Sequence, residues 1–455
     1  MKATTKYANK KILVLGLARS GVAAAKLLHQ LGAFVTVNDG KPIDENPEAQ
    51  ELLALGMTVI TGSHPIDLLD EGFSLIVKNP GIPYTNPILE NAIKREIPIV
   101  TEVEIAYEVS EAEFIGITGT NGKTTTTTMI HQLLNSGDRK GQARLAGNIG
   151  YPTSDVVLSA TLEDVLVTEL SSFQLMGVKE FTPKIGLITN IYEAHLDYHG
   201  SREEYVKAKW SLQQNMTSEN VLILNGNQEE LRELAKTTKA EVIFFTTGKK
   251  ELTGAYELEG QLYYHDEWIM AVSDLGVPGS HNVENALAAI IVAKLMSVSN
   301  EKIKETLTLF SGVPHRTEYI GEFSGVKIYN DSKATNILAT EKALSGFSND
   351  KLILIAGGLD RGNGFEELTP DIKGLKGLVT LGETAEKLAM AGNEADITNV
   401  VQVANMSEAV ASAWQLSEPG DAILLSPACA SWDQYKNFEL RGDDFVKEIK
   451  QIVSR

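Results

Sequence analysis

The residues best placed to do chemistry lie in ITGTNGKTTTTTM, residues 117–129, between the apolar run EFIGI and the helix-like TTTMIHQLL. Gly119 and Gly122 have no Cβ, so the backbone N–H groups around them can turn inward on an anion at a helix N-terminus. Lys123 is placed to reach the β- and γ-phosphates of a nucleotide, and the Thr124 hydroxyl to coordinate Mg²⁺, with Thr120, Asn121 and Thr125 completing the loop. The broad phosphate-loop pattern wants a glycine at 117, where the chain has Ile117, so the G-K-T at a strand-to-helix junction carries the reading. Threonines 124 to 128 are poor helix formers, and packing would not select such a run on an ordinary surface helix.

A phosphate loop implies a metal, and a metal needs further oxygen or nitrogen ligands. Glu169 ends the run DVLVTEL, where a ligand on a neighbouring strand is expected. Past the run KIGLITN, the stretch TNIYEAHLDYHG offers Glu193, His195, Asp197 and His199, and spacing does not choose among them. A second nucleotide-like pattern comes earlier. KILVLGLARSGVAAAKLL runs a strand into Gly16 and Gly21, and Asp39 ends the next strand eighteen residues after Gly21. In a dinucleotide site such glycines admit a pyrophosphate and such an acid holds ribose hydroxyls. GLARSG is spaced G-x-x-x-x-G rather than G-x-G-x-x-G, so a tight strand-to-helix turn accounts for it equally well. KNPGIP, residues 78–83, sets Gly81 between two prolines at another strand end.

These residues must be held by elements, and the chain supplies them in repeating order. Short apolar runs alternate with helix-like segments: four between 11 and 80, five between 113 and 247, five between 325 and 428. Such runs predict parallel sheets covered on both faces, and fourteen are too many for one sheet. The expected fold is α/β in three domains. A Rossmann-like domain spans residues 1–112, a phosphate-loop ATPase domain 113–313 and a second Rossmann-like domain 314–455. TGAYELEGQLYYHDEWIMAV, residues 253–272, alternates polar and apolar, and predicts a small antiparallel edge hairpin turning at Gly260.

The chain has 455 residues and a net charge of -19, from 41 basic and 60 acidic side chains. That balance argues against wrapping nucleic acid or an anionic membrane, while leaving room for a local basic phosphate pocket. One cysteine, Cys429, permits no intrachain disulfide. The polar start MKATTKYANKK carries no secretion signal, and AAIIVAKLM is too short to span a bilayer, so a cytoplasmic protein is expected.

In combination these motifs resemble the Mur ligase family, ATP-dependent amide ligases that build the peptidoglycan stem peptide. GTNGKTT resembles its ATP loop, and HNVEN (281–285), the pair His315 and Arg316, and NDSKATN (330–336) resemble its further signatures. GLARSG with Asp39, NPGIP, TELSSFQL and SPACASWDQYKNFELRGDDF (426–445) are similar to the D-glutamate-adding branch. The resemblance implies that the first domain holds the uridine diphosphate end of UDP-N-acetylmuramoyl-L-alanine, the second ATP and the third D-glutamate. Two nucleotide-like patterns are then present because two nucleotides bind and only the second is consumed.

Carried onto this sequence, the family implies uridine diphosphate contacts from Arg19, Ser20, Asp39 and Lys41, the last in place of an arginine of some relatives. Asn79 and Gly81 would line the same site, and Asn148 would touch the muramoyl part. Thr124 and Glu169 would hold one Mg²⁺ and His195 a second, with Lys209 carbamylated as a bridge. Read from the residues alone, Lys209 is merely a charged position on an amphipathic helix. Asn282 and Asn285 would sit near adenine, and Arg316, Asp331 and the catalytic Lys333 near ribose and phosphates. Thr335, Arg361, Ser431 and the Phe438 backbone would receive D-glutamate, Arg361 standing where some relatives have lysine.

The implied reaction is phosphorylation of the substrate carboxylate by ATP and attack of the D-glutamate amine on the acyl phosphate, in a monomer whose third domain closes over its ligands. Three rival readings are weaker. Folylpolyglutamate- and cyanophycin-type ligases share the ATP loop but lack GLARSG and NPGIP. A nicotinamide dehydrogenase would need different glycine spacing, and a GTPase would need an N-K-x-D motif that does not occur.

Overall fold

The computed structural model describes residues 1–43, 47–65, 67–251 and 253–454, and the side chains of Pro47 and Asp197 also lie outside the described set. Twenty strands among the described residues form three sheets. The first contains β1 (Lys11–Leu15), β2 (Phe34–Asp39), β3 (Thr58–Thr61), β4 (Leu75–Lys78) and β5 (Ile99–Val100), parallel throughout in the order β3-β2-β1-β4-β5. The second contains β6 (Glu113–Thr118), β7 (Ala143–Gly147), β8 (Val165–Glu169), β9 (Ile185–Ile188), β10 (Val221–Asn225), β11 (Glu241–Thr247), β12 (Ala255–Leu258), β13 (Gln261–Tyr264) and β14 (Glu267–Ala271). Their order is β14-β13-β12-β11-β10-β9-β6-β8-β7. The third holds β15 (Glu318–Phe323), β16 (Val326–Asn330), β17 (Leu352–Gly357), β18 (Gly377–Leu381), β19 (Val400–Gln402) and β20 (Ala422–Leu425), ordered β15-β16-β20-β17-β18-β19.

Apolar residues on both sides of a strand demand cover on both faces, and the cores show this directly. Ile12 and Val14 of β1 enter one cluster, while Leu13 and Leu15 enter another on the opposite face. In the third sheet Leu352, Leu354 and Ala356 pack with Leu378 and Leu424, whereas Ile353 and Ile355 pack with Val379, Ile423 and Phe445. The helix Glu102–Val109 is tied to the second sheet through Tyr107, which meets Phe114 and Phe181 edge-on at 5.6 and 5.3 Å between ring centroids. The chain divides into two compact units. Met1–Ser273 with Val283–Leu307 carries the first two sheets, and Asp274–Asn282 with Thr308–Arg455 carries the third.

The fourteen expected runs all fall on strands, and six further strands add to them. The predicted hairpin is larger than expected. β12 pairs parallel with β11, then turns at Gly260 into β13 and again into β14, giving a three-stranded antiparallel edge. β5 has two residues, β7 reads ARLAG, and β15 reads EYIGEF with no fully buried position. None of the three offers an apolar run to detect.

The glycine spacing of GLARSG has a packing cause. Gly21 lies in the first turn of the helix Arg19–Gln30, and a Cβ built on it would overlap the carbonyl oxygen of Gly16. Gly21→Ala should therefore destabilise the protein by about 2–3 kcal/mol through a forced shift of the helix. Thermal unfolding checks this, and an unchanged midpoint would show that the turn has slack.

Candidate functional site

In the first sheet the strand order reverses beside β1, so the crevice beyond the ends of β1 and β4 is where an open α/β sheet takes a ligand. Asp39 closes one side of this crevice. Its carboxylate accepts the backbone N–H of Leu17 at 2.7 Å and that of Lys41 at 2.8 Å. On the other side Asn79 donates to the Ser20 hydroxyl at 3.2 Å and accepts the Gly81 N–H at 3.2 Å. Arg19 and Lys41 are exposed there. Arg19, Ser20, Asp39, Lys41, Asn79 and Gly81 thus gather at one sheet edge.

The phosphate loop leaves β6, which lies between β9 and β8 in the parallel part of the second sheet. Ile117 is buried within β6, and the left-handed region of φ is used at Gly119 (φ 146°) and Gly122 (φ 80°). The glycine of the broad pattern is thus displaced two residues along, because the strand continues further. Thr189 and Asn190, directly after β9, hold the loop from outside. Asn190 accepts the Thr120 N–H on its carbonyl and the Asn121 N–H on its side chain, both at 2.9 Å, and Thr189 donates to the Asn121 carbonyl at 2.6 Å.

The threonine run forms the helix Lys123–Ser136 by spending its hydroxyls locally. Thr127 and Thr128 donate to the carbonyls of Lys123 and Thr124, each at 2.8 Å, and Thr126 donates to the Asn285 side chain at 3.1 Å. Lys123 Nζ donates to the carbonyls of Gly119 and Thr120, both at 2.9 Å. Lys209, 2% exposed, donates to the same Gly119 carbonyl at 2.7 Å and lies 4.6 Å from the Tyr205 ring centre. Burial, reinforced by Lys123 and opposed by Glu169, pushes the Lys209 amine well below its ordinary value.

Glu169 is 1% exposed at the end of β8. One of its oxygens accepts from the Asn148 side chain at 2.7 Å, and the other, Oε2, is buried with no hydrogen-bond partner among the described residues. A residue assigned to the sugar and one assigned to the metal are therefore bonded to each other. Of the four acid and histidine candidates, His199 is buried with Nε2 3.0 Å from the Ser172 hydroxyl and its ring stacked 5.3 Å from Phe173. Glu193 and His195 are exposed, His195 with φ of 56° and its ring 5.2 Å from Phe173. The Asp197 side chain falls outside the described residues. Among the described residues no cluster of three or more His, Cys, Asp or Glu side chains could hold a metal by itself. Hard oxygen donors from Glu169 and the loop still suit Mg²⁺, which commonly borrows phosphate oxygens and water.

In the second unit, Asp331 ends the run after β16. It accepts from Thr317 N–H at 2.9 Å and from the Ser426 hydroxyl at 2.8 Å, and burial raises its carboxyl to about 6. Arg316 keeps Nε buried without a hydrogen-bond partner among the described residues. Asn282 donates to the Pro278 carbonyl at 2.6 Å. Lys333 is exposed, its Nζ 5.2 Å from the Phe438 ring centre, and the Phe438 carbonyl accepts from Ser332 at 2.7 Å. Phe438 opens the helix Phe438–Val453, where backbone N–H groups favour a carboxylate. Ser431 is buried, Thr335 half-buried, and Arg361 exposed over the Trp432 ring at 5.3 Å. Among the described residues no hydrogen bond or ion pair joins Arg361 to Thr335 or Ser431.

Sequence reasoning passed over Thr189, Asn190 and Arg441. The first two read as the tail of an apolar strand. Arg441, 2% exposed, donates to the carbonyls of Ser332 and Cys429 at 2.8 and 3.0 Å, pinning two loops together, and burial lowers it to about 10. Nothing local in FELRGDDF marks that arginine as buried.

Three family profiles match the chain. Residues 10–101 match the "Mur ligase MurD-like, N-terminal domain", 117–293 the "Mur ligase middle domain" and 315–429 the "Mur ligase, glutamate ligase domain". The chain is 63% identical over 452 residues to the UDP-N-acetylmuramoylalanine–D-glutamate ligase of Enterococcus faecalis, covering 99% of each. To the enzyme so named from Enterococcus hirae it is 65% identical over 444 residues, covering 98% of this chain and 96% of that one. Among solved structures, the UDP-N-acetylmuramate–alanine ligase MurC of Thermotoga maritima superposes with a TM-score of 0.57 at 19% identity, covering 98% of this chain and 100% of that one. MurF ligase of Thermotoga maritima, in complex with ADP, gives 0.55 at 14% identity, covering 99% and 97%. These last two are likenesses of fold.

Proposed function

The chain belongs to the Mur ligase family, and from that premise we infer its reaction and the residues that perform it. It is an ATP-dependent amide ligase that adds D-glutamate to UDP-N-acetylmuramoyl-L-alanine through an acyl phosphate, releasing ADP and phosphate in peptidoglycan precursor synthesis. The carrying observation is the formed phosphate loop standing beside Glu169, whose buried Oε2 has no hydrogen-bond partner among the described residues and whose other oxygen accepts from Asn148.

Work divides by domain. Residues 1–112 hold the sugar nucleotide through Arg19, Ser20, Asp39, Lys41, Asn79 and Gly81. Residues 113–313 hold ATP in the loop 119–125, with Asn282 and Asn285 toward adenine. Residues 314–455 bring D-glutamate to Thr335, Arg361, Ser431 and the Phe438 backbone, and Arg316, Asp331 and Lys333 toward the nucleotide. A carboxylate resists attack because it is negatively charged and its oxygen leaves poorly. Its oxygen takes the γ-phosphoryl group of ATP, ADP departs, and the neutral amine of D-glutamate then displaces phosphate at the acyl carbon. Lys123 offsets the charge that sets two anions against each other. Mg²⁺, held by Thr124, Glu169, His195 and a carbamylated Lys209, would neutralise phosphate charge when bound. Asn148 steadies the Glu169 carboxylate and orients the muramoyl end. On this reading the enzyme acts as a monomer in the cytoplasm, where ATP is supplied. Among the described residues no helix is long and apolar enough to cross a membrane.

The test is phosphate release from ATP with UDP-N-acetylmuramoyl-L-alanine and D-glutamate, each omitted in turn. Release that needs both, with a product heavier by one glutamyl residue, is expected. Release with a different amino acid would move the enzyme within its family.

A further inference from the structure

The mechanism makes no use of a lysine that is 1% exposed. Lys78 ends β4, immediately before the loop 79–82, and among the described residues it forms no ion pair. Its ammonium points instead into the loop. Nζ donates to the carbonyls of Asn79 at 3.2 Å and Pro80 at 3.0 Å, lies 3.4 Å from the Tyr198 hydroxyl, and sits 5.0 Å from the Tyr84 ring centre. The Tyr198 hydroxyl in turn lies 3.1 Å from the Pro80 carbonyl and 3.0 Å from that of Ile82. Three carbonyls of a proline-bracketed loop thus turn inward, and Lys78 and Tyr198 are the side chains that serve them. A buried carbonyl needs a donor, and a buried ammonium without a carboxylate needs several acceptors, so each requirement meets the other. Burial lowers Lys78 to about 8, in keeping with this setting.

The two ends of this arrangement lie beside different sheets, the loop 79–82 after β4 of the first and Tyr198 in a segment after β9 of the second. On its outer side the loop reaches Ser20 through Asn79. Tyr198 belongs to the short helix Leu196–His199 that follows His195, and its ring meets Phe173 edge-on at 4.5 Å, which also contacts His195 at 5.2 Å. Phe173 follows Glu169 by four residues. An unbroken run of contacts therefore joins the nucleotide crevice of the first sheet to the segment carrying His195.

We propose that Lys78 and Tyr198 are positioning residues that lock the loop 79–82 to the His195 segment, fixing where the sugar nucleotide lies relative to the phosphate loop. The proposal rests on the reading that this crevice takes the sugar nucleotide. Lys78→Met keeps an unbranched chain one atom shorter and removes its donors. It should raise KM for UDP-N-acetylmuramoyl-L-alanine on the order of tenfold while KM for ATP and D-glutamate stays within about twofold. Tyr198→Phe should shift the same constant in the same direction. The double variant should be no worse than Lys78→Met by more than about twofold, because the two side chains share the Pro80 carbonyl and contact each other. If Lys78→Met does not fold, Tyr198→Phe, which keeps its ring packing, carries the test alone. A uniform loss in all three KM values, an unchanged sugar-nucleotide KM, or additive effects in the double variant would overturn the proposal. Asn79→Ala separates the two layers of the argument. If it raises the sugar-nucleotide KM and the other variants do not, the lock is wrong and the crevice stands; if none does, both fall.

Discussion

Replacing Lys123 by alanine should lower turnover by about 10³-fold or more while UDP-N-acetylmuramoyl-L-alanine still binds with nearly its original affinity. The size follows from the step being catalysed. An anionic carboxylate must approach an anionic γ-phosphoryl group, and Lys123 is the cation that the loop carries at that point. The selectivity follows from the fold, since the crevice lies at the first sheet and the loop leaves β6 of the second. Phosphate release measures the first quantity and calorimetric titration with the sugar nucleotide the second. Loss of both in a protein with an unchanged circular dichroism spectrum would show that the two sites have been assigned wrongly.

Removing carbon dioxide should inactivate the enzyme reversibly, with activity falling about 10²-fold and returning when bicarbonate is added. Carbamylation joins a neutral amine to carbon dioxide and expels a proton, and a lysine holding its ordinary charge near neutral pH reacts poorly. Lys209 is buried beside Lys123, and both influences favour its neutral form. Once carbamylated, the residue becomes an anion next to a cation, which reverses the repulsion between the two amines. Lys209→Ala should be low in activity whatever the bicarbonate concentration. Wild-type activity unaffected by rigorous exclusion of carbon dioxide, in protein shown by mass to be unmodified, would remove the carbamate from the mechanism.

Much of this architecture was legible because buried parallel strands must be apolar over their whole length. KILVL, VLVTE and LILIAG announce themselves, and the loops at their ends inherit a position from them. What escaped had no such signature. β7 is built from small residues with an arginine, and β15 is an edge strand whose side chains are mostly half-exposed. Within the sites, residue type located the phosphate loop even though its leading glycine is shifted, because the helix that follows fixes where the N–H groups point. Long-range partners were not legible. That Asn148 bonds Glu169, that Lys209 reaches the Gly119 carbonyl ninety residues away, and that Arg441 ties Ser332 to Cys429 depend on strands brought together only by the fold.

The grip of Lys123 on the carbonyls of Gly119 and Thr120 has a consequence for what residue can stand there. The ammonium spans the loop, tying the Gly119 and Thr120 carbonyls to the first residue of the helix Lys123–Ser136. A phosphate bound in the loop, as proposed above, would take over these contacts one at a time, one carbonyl released for one phosphate oxygen gained. A compact head with three rotatable donors can make that exchange stepwise, whereas the flat, fixed fork of an arginine would have to let go of both carbonyls together. Lysine suits this position for its ability to change partners singly as well as for its charge.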